Sequence, residues 1–80
     1  MSASRALNLP RSARVRVRDG APVQVEGERI ESVRESWLVE DRWWTERPLR
    51  RRYWEVASAS GHRMVIFHDL QDGQWFRQNL

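Results

Sequence analysis

The chain has no cysteine and no lysine, and no apolar run long enough to cross a bilayer. Without cysteine there are no disulfides, thiolate zinc sites or cysteine nucleophiles, and nothing marks an oxidising compartment. A membrane helix needs about 20 consecutive apolar residues, and the N-terminus also lacks the apolar stretch of a secretory signal. The expected location is therefore cytoplasmic, with no membrane partner. Eighty residues make one domain, because so short a chain cannot be divided between two hydrophobic cores. A chain of this size buries only roughly 60% of its unfolded surface, which leaves it marginally stable without a staple. Five Trp, two Phe and one Tyr supply that packing mass.

All 14 basic residues are arginine, against 11 acids, for a net charge of +3. The charge is segmented: residues 1–18 carry +5, residues 19–46 carry −5 and residues 47–80 carry +3. Codon bias explains arginine-only usage without any function. The functional reading is that guanidinium forks grip phosphates bidentately and stack on bases, which lysine does not do.

Residues 1–13 are small, polar and broken by Pro10, and read as a flexible basic arm. Residues 14–80 read as a single β domain. Val15 and Val17 alternate with Arg14, Arg16 and Arg18, giving one apolar face and one face of guanidiniums. Asp19-Gly20 and Glu26-Gly27 both suit tight turns flanking Val23 and Val25, which is a hairpin signature. From Glu28 to Leu38 the signals conflict. Ile30, Val33, Trp37 and Leu38 fit a helical face, while a hairpin that needs a third strand favours a strand with a bulge near Ser32-Val33. Residues 40–50 read as a long loop. Arg51 to Ser58 alternates as a strand, Ala59-Ser60-Gly61 turns, and His62 to His68 is apolar on both faces, as in a central or barrel strand. Asp72-Gly73 then introduces a last strand at Trp75 to Gln78. This spacing predicts an all-β fold, a small antiparallel meander or partly open barrel of five to six strands. Its expected core is Val15, Val17, Ile30, Trp54, Val56, Ile66, Phe67 and Trp75.

The candidate binding residues are arginines and aromatics. Arg14, Arg16 and Arg18 share one strand face and suit phosphate contacts, or equally a charged edge that blocks sheet-to-sheet aggregation. Adjacent Trp43-Trp44 cannot both enter one core from a strand, so one is free to stack on a base or anchor a protein. Arg50, Arg51, Arg52 and Tyr53 combine basic and aromatic character, although alternation splits them between faces and Glu40, Asp41 or Glu46 could neutralise them. His62 and His68 lie six residues apart, about 20 Å at ~3.3 Å per residue, so one metal cannot take both. Ser58 and Ser60 lack the glycines of a nucleophile elbow, and Asp69 suits an Asx-turn. Catalytic residues, a metal site and a cofactor are not expected.

Gly27-x-Arg29, Trp37, Glu40-Asp41-x-Trp43-Trp44, Arg51-Arg52-Tyr53, Val65-x-Phe67-x-Asp69-Leu70 and Gly73-x-Trp75-Phe76-Arg77 fall together in one chain. This set resembles a small bacterial all-β domain family, and is similar to the C-terminal module of inactive Y-family DNA polymerase homologues of the error-prone mutasome. The resemblance implies a β-rich accessory module, a strand across Glu28 to Leu38, and a link to DNA-damage tolerance. The expected function is a non-catalytic binding module that engages a protein partner, for which the resemblance implies a polymerase-type complex. The alternative is a nucleic-acid module that grips single strands through Arg and loop aromatics. A weak homodimer is also expected, because so small a sheet leaves edges.

Overall fold

The computed structural model describes residues 9–41, 46 and 48–78. Among these residues the fold is all-β, with seven strands: β1 (Arg11–Ser12), β2 (Val15–Arg18), β3 (Ala21–Val25), β4 (Glu28–Asp41), β5 (Leu49–Ser58), β6 (Arg63–Asp69) and β7 (Trp75–Gln78). They form one antiparallel sheet in the order β1-β7-β6-β5-β4-β3-β2, curled into a half-barrel. No helix among them is long and apolar enough to cross a membrane. Seven strands replace the expected five to six because Arg11 and Ser12, read from sequence as the end of the arm, pair with Arg77 and Phe76.

The turns follow the sequence closely. Asp19 and Gly20 have φ of 53° and 81°, and Glu26 and Gly27 have 49° and 82°. Two consecutive positive-φ residues define the hairpin turn whose twist matches its strands, so each pair closes a two-residue loop. Asp69 Oδ1 accepts from the backbone N–H of Gln71 at 2.9 Å, the expected Asx-turn, and leads the chain toward β7.

The conflict over Glu28 to Leu38 resolves as strand. Register shifts between Ile30 and Ser32 and between Val33 and Glu35 insert one extra residue each opposite β5. The strand also runs further than expected. Glu40 and Asp41 pair with Arg50 and Leu49, so the long hairpin consumes both ends of the segment read as a loop.

The core lies under the β2–β3 hairpin. Val25, Trp54, Val56, Met64 and Ile66 form it, with Val15, Ile30 and Trp75 packed against them. Trp54 opposes Ile66 across β5 and β6, and its ring meets Trp75 at 5.1 Å. One core expectation is corrected: Val17 is 47% exposed, where the register against β3 shifts between Arg16 and Val17. Phe67 is buried as expected, although it faces the other side of β6 from Met64 and Ile66. Val25 and Met64 also join the core.

Trp54→Ala should cost about 3–5 kcal/mol in urea unfolding, as for other buried Trp truncations. Val17→Ala, at an exposed site, should stay within about 0.5 kcal/mol. Equal effects would mean that the core is not where Trp54 sits.

Candidate binding surfaces

The β2 arginines gather a fourth. Arg14, Arg16 and Arg18 are all exposed, and alternation points them away from Val15. Gln24 pairs with Arg16 on one side and Arg29 on the other, so the sheet brings Arg29 of β4 beside the β2 guanidiniums. Arg16, Arg18 and Arg29 line a shallow depression of about 370 Å³ with Val23, Gln24 and Ile30. None of these four arginines forms an ion pair with a described carboxylate. Two acids of the middle segment are engaged elsewhere: Glu40 bonds Arg50, and Glu28 faces Ser60 and His62. Asp19 and Glu26 stand in the turns that flank the patch.

Arg50, Arg51 and Arg52 do not join it. The β2–β3 hairpin attaches to β4 at Glu28 and Arg29, near the Ser58 end of β5, whereas these three lie at the other end. About seven residues at ~3.3 Å separate the groups by roughly 20 Å. Alternation also divides the trio. Arg50 Nε donates to Glu40 Oε2 at 3.0 Å, and Arg52 is exposed on the Trp54 side. Arg51 lies on the opposite face, its guanidinium 4.4 Å above the Phe67 ring and its Nη1 donating to Tyr53 Oη at 3.3 Å. Its Nε is buried without a hydrogen-bond partner. Trp43 and Trp44 lie outside the described residues.

Tyr53 belongs to an aromatic row that sequence reading missed. Trp37, Tyr53, Phe67 and Phe76 stand directly opposite one another across β4, β5, β6 and β7. Trp37 and Tyr53 stack at 5.4 Å and 4°, Tyr53 and Phe67 lie 5.0 Å apart, and Phe67 stacks on Phe76 at 5.1 Å. Trp37 on β4 ends the row at the outer side of the sheet, while Phe76 at its other end stands opposite Ser12 of β1. The signal was available. Folding the chain about Ser60 sets Tyr53 opposite Phe67, and folding it between Gln71 and Asp72 sets Phe67 opposite Phe76.

Beside Trp37 runs an open edge. β3 pairs with β4 only at Glu28 and Arg29, and no described strand covers the outer side of residues 30–40. Leu38 on this stretch is 46% exposed. Exposed sheet edges are normally short, bulged, or guarded by charged residues or Pro. Bulges bend the first half of β4, and Glu35, Glu40 and Asp41 charge the second, but Ser36 to Val39 between them are regular and uncharged.

One cluster holds hydroxyls, a carboxylate and an imidazole. Ser58 and Ser60 share a hydrogen bond of 3.0 Å, Ser60 Oγ donates to Glu28, and His62 Nδ1 lies 3.7 Å from Glu28. The buried Ser58 Oγ also accepts from the His62 backbone N–H at 3.1 Å. The imidazole meets the carboxylate rather than a hydroxyl, so no base is set against either serine. The cluster instead ties the β5–β6 turn to the start of β4. Among the described residues no group of three His, Asp or Glu could hold a metal ion. Comparison with known protein families, curated proteins and solved structures finds no match.

The Ser60 hydrogen bond, helped by Ser58 and His62, holds the Glu28 carboxyl below the usual carboxylate range. A lowered folded-state pKa adds stability above the ordinary value, and that stability is lost as pH falls through the folded value. Ser60→Ala should move the Glu28 midpoint upward in a carboxylate NMR titration. An unchanged midpoint would remove the hydroxyl as its cause.

Proposed function

We propose that the chain is a non-catalytic binding module that recruits a protein partner by strand addition at β4. The open outer edge of residues 30–40 carries this reading. Unpaired backbone groups along an edge supply main-chain hydrogen bonds to an added strand, and alternate side chains supply selectivity. Trp37 and Leu38 present an aromatic and an aliphatic anchor to the two faces of such a strand. Within this proposal the resemblance to the polymerase-homologue module sets the context as a damage-tolerance assembly. Extended peptides selected from a random library for binding should slow hydrogen exchange at alternate amides between residues 35 and 40. Protection confined to another strand would refute strand addition here.

A second reading is favoured by one observation, the arginine patch without acid partners. Arg14, Arg16, Arg18 and Arg29 suit the phosphates of a nucleic acid. Such binding has no base-edge reader and tolerates any sequence. Three or four phosphate contacts would give a slope near −3 for log K against log salt, each contributing roughly 0.7–0.9. Arg29→Gln should flatten the slope by about one contact, as Arg16→Gln does, whereas Arg52→Gln should not. Fluorescence anisotropy with single-stranded DNA at two salt concentrations measures this. Absence of binding at low salt removes the reading.

A further inference from the structure

We infer that the strand taken up at the β4 edge carries a basic residue beside Glu35 and, two positions along, an aromatic residue beside Trp37. The inference rests on the strand-addition reading and gives its partner a chemistry. From Glu35 to Asp41 the ladder to β5 has no register shift, so alternation is regular over this stretch. Glu35, Trp37 and Val39 share the face of Glu55, Tyr53 and Arg51, and Ser36, Leu38 and Glu40 share the face of Trp54, Arg52 and Arg50. A strand added to the open side extends each of these rows by one residue, whichever way it runs. The added residues beside Glu35 and Trp37 are therefore two apart and on one face.

The Glu35 row calls for a cation. Glu35 stands directly opposite Glu55, and Val65 of β6 follows. Like charges directly opposite one another destabilise a strand pair, while unlike charges stabilise it. A further residue in this row is thus favoured as Lys or Arg and opposed as Asp or Glu. Arg34 and Arg63 border the same depression of about 460 Å³, but among the described residues neither forms an ion pair with Glu35 or Glu55. Arg34 is the extra residue of the bulge between Val33 and Glu35 and has no place in the ladder, and Arg63 stands opposite Ala57 rather than Glu55.

The next row calls for a ring. Trp37, Tyr53, Phe67 and Phe76 run across four strands, and Trp37 is the member on the open side. Aromatic residues directly opposite one another stabilise strand pairing, so this row favours one more. On the other face Ser36 Oγ is used within the sheet, donating to the Tyr53 carbonyl at 2.9 Å, and Leu38 is 46% exposed. The added residue beside Ser36 is unconstrained, and the one beside Leu38 gains from being apolar. The partner segment reads basic, any, aromatic, apolar, in one direction or the other.

Charge reversal at Glu35 tests this. Random peptides selected for binding to the wild type should place Lys or Arg two positions from an aromatic residue about 5-fold more often than the unselected library does. Selection on Glu35→Lys should lose that basic residue and gain Asp or Glu in its place, with the aromatic residue kept. Glu35→Gln should remove the basic preference alone, and Trp37→Ala the aromatic preference alone. Glu35 is exposed, and Glu35→Lys relieves its repulsion from Glu55, so neither Glu35 variant threatens the fold. A selected set without this spacing, a wild-type preference for acidic residues, or a Glu35→Lys set that still prefers basic ones would each overturn the inference. If selected peptides protect residues 35–40 from exchange yet lack the pattern, strand addition survives and only the partner chemistry is lost. If no selected peptide protects that edge, both readings fall.

Discussion

The fold depends on one hand-over in the backbone of its N-terminal stretch. Arg11 and Ser12 pair with β7, and the Ala13 N–H still donates to the Trp75 carbonyl at 3.0 Å. One residue later the Arg14 carbonyl accepts from the Glu26 N–H at 2.8 Å, and β2 continues along β3. A single extended segment therefore ties both ends of the sheet and holds the curl over the core. Val15, the first residue after the hand-over to β3, packs against the cluster of Val25, Trp54, Val56, Met64 and Ile66, as Trp75 does. A small domain has little apolar area to spare, and a flat sheet would leave these side chains in water.

The curl gives the two faces different work. The covered face buries aliphatic side chains with Trp54, and the other is consolidated by rings stacked in a row and by Arg51 lying over Phe67. The orphaned Arg51 Nε is offset by that ring contact and by the Tyr53 hydroxyl. Because strand residues alternate between faces, neighbours in sequence have unrelated roles. Arg50 is an exposed ion-pair partner, Arg51 is packing, and Arg52 is solvated. A run of three arginines is thus a property of the sequence and not of any surface.

The same periodicity explains what could be read in advance. The turns at Asp19-Gly20 and Glu26-Gly27 were legible because few residue pairs accept two positive φ angles in succession. The β4 segment was not, and its bulges are the cause. Ile30 and Val33 stand on the face of Ser58 and Val56, three residues apart instead of two, because one extra residue intervenes. A second extra residue brings Ser36, three further on, opposite Trp54. Two bulges in succession turn a period of two into a run of threes, which imitates a helical face. The β2 arginines were visible as a row, but Arg29 was hidden: its place beside them depends on Gln24 lying between two strands, which only the register sets. The open edge was hidden for a related reason, since strand lengths set it and the hairpin of β4 and β5 outruns β3.

The two proposed binding surfaces lie at opposite ends of β4. Its first two residues carry the β2–β3 hairpin and the arginine patch, and its regular open edge begins at Glu35. About six residues at ~3.3 Å place them roughly 20 Å apart along the strand. An occupant of the edge does not cover the patch. A protein strand at the edge and phosphate contact at the patch are then compatible on one small domain, because the length of β4 holds the two places apart.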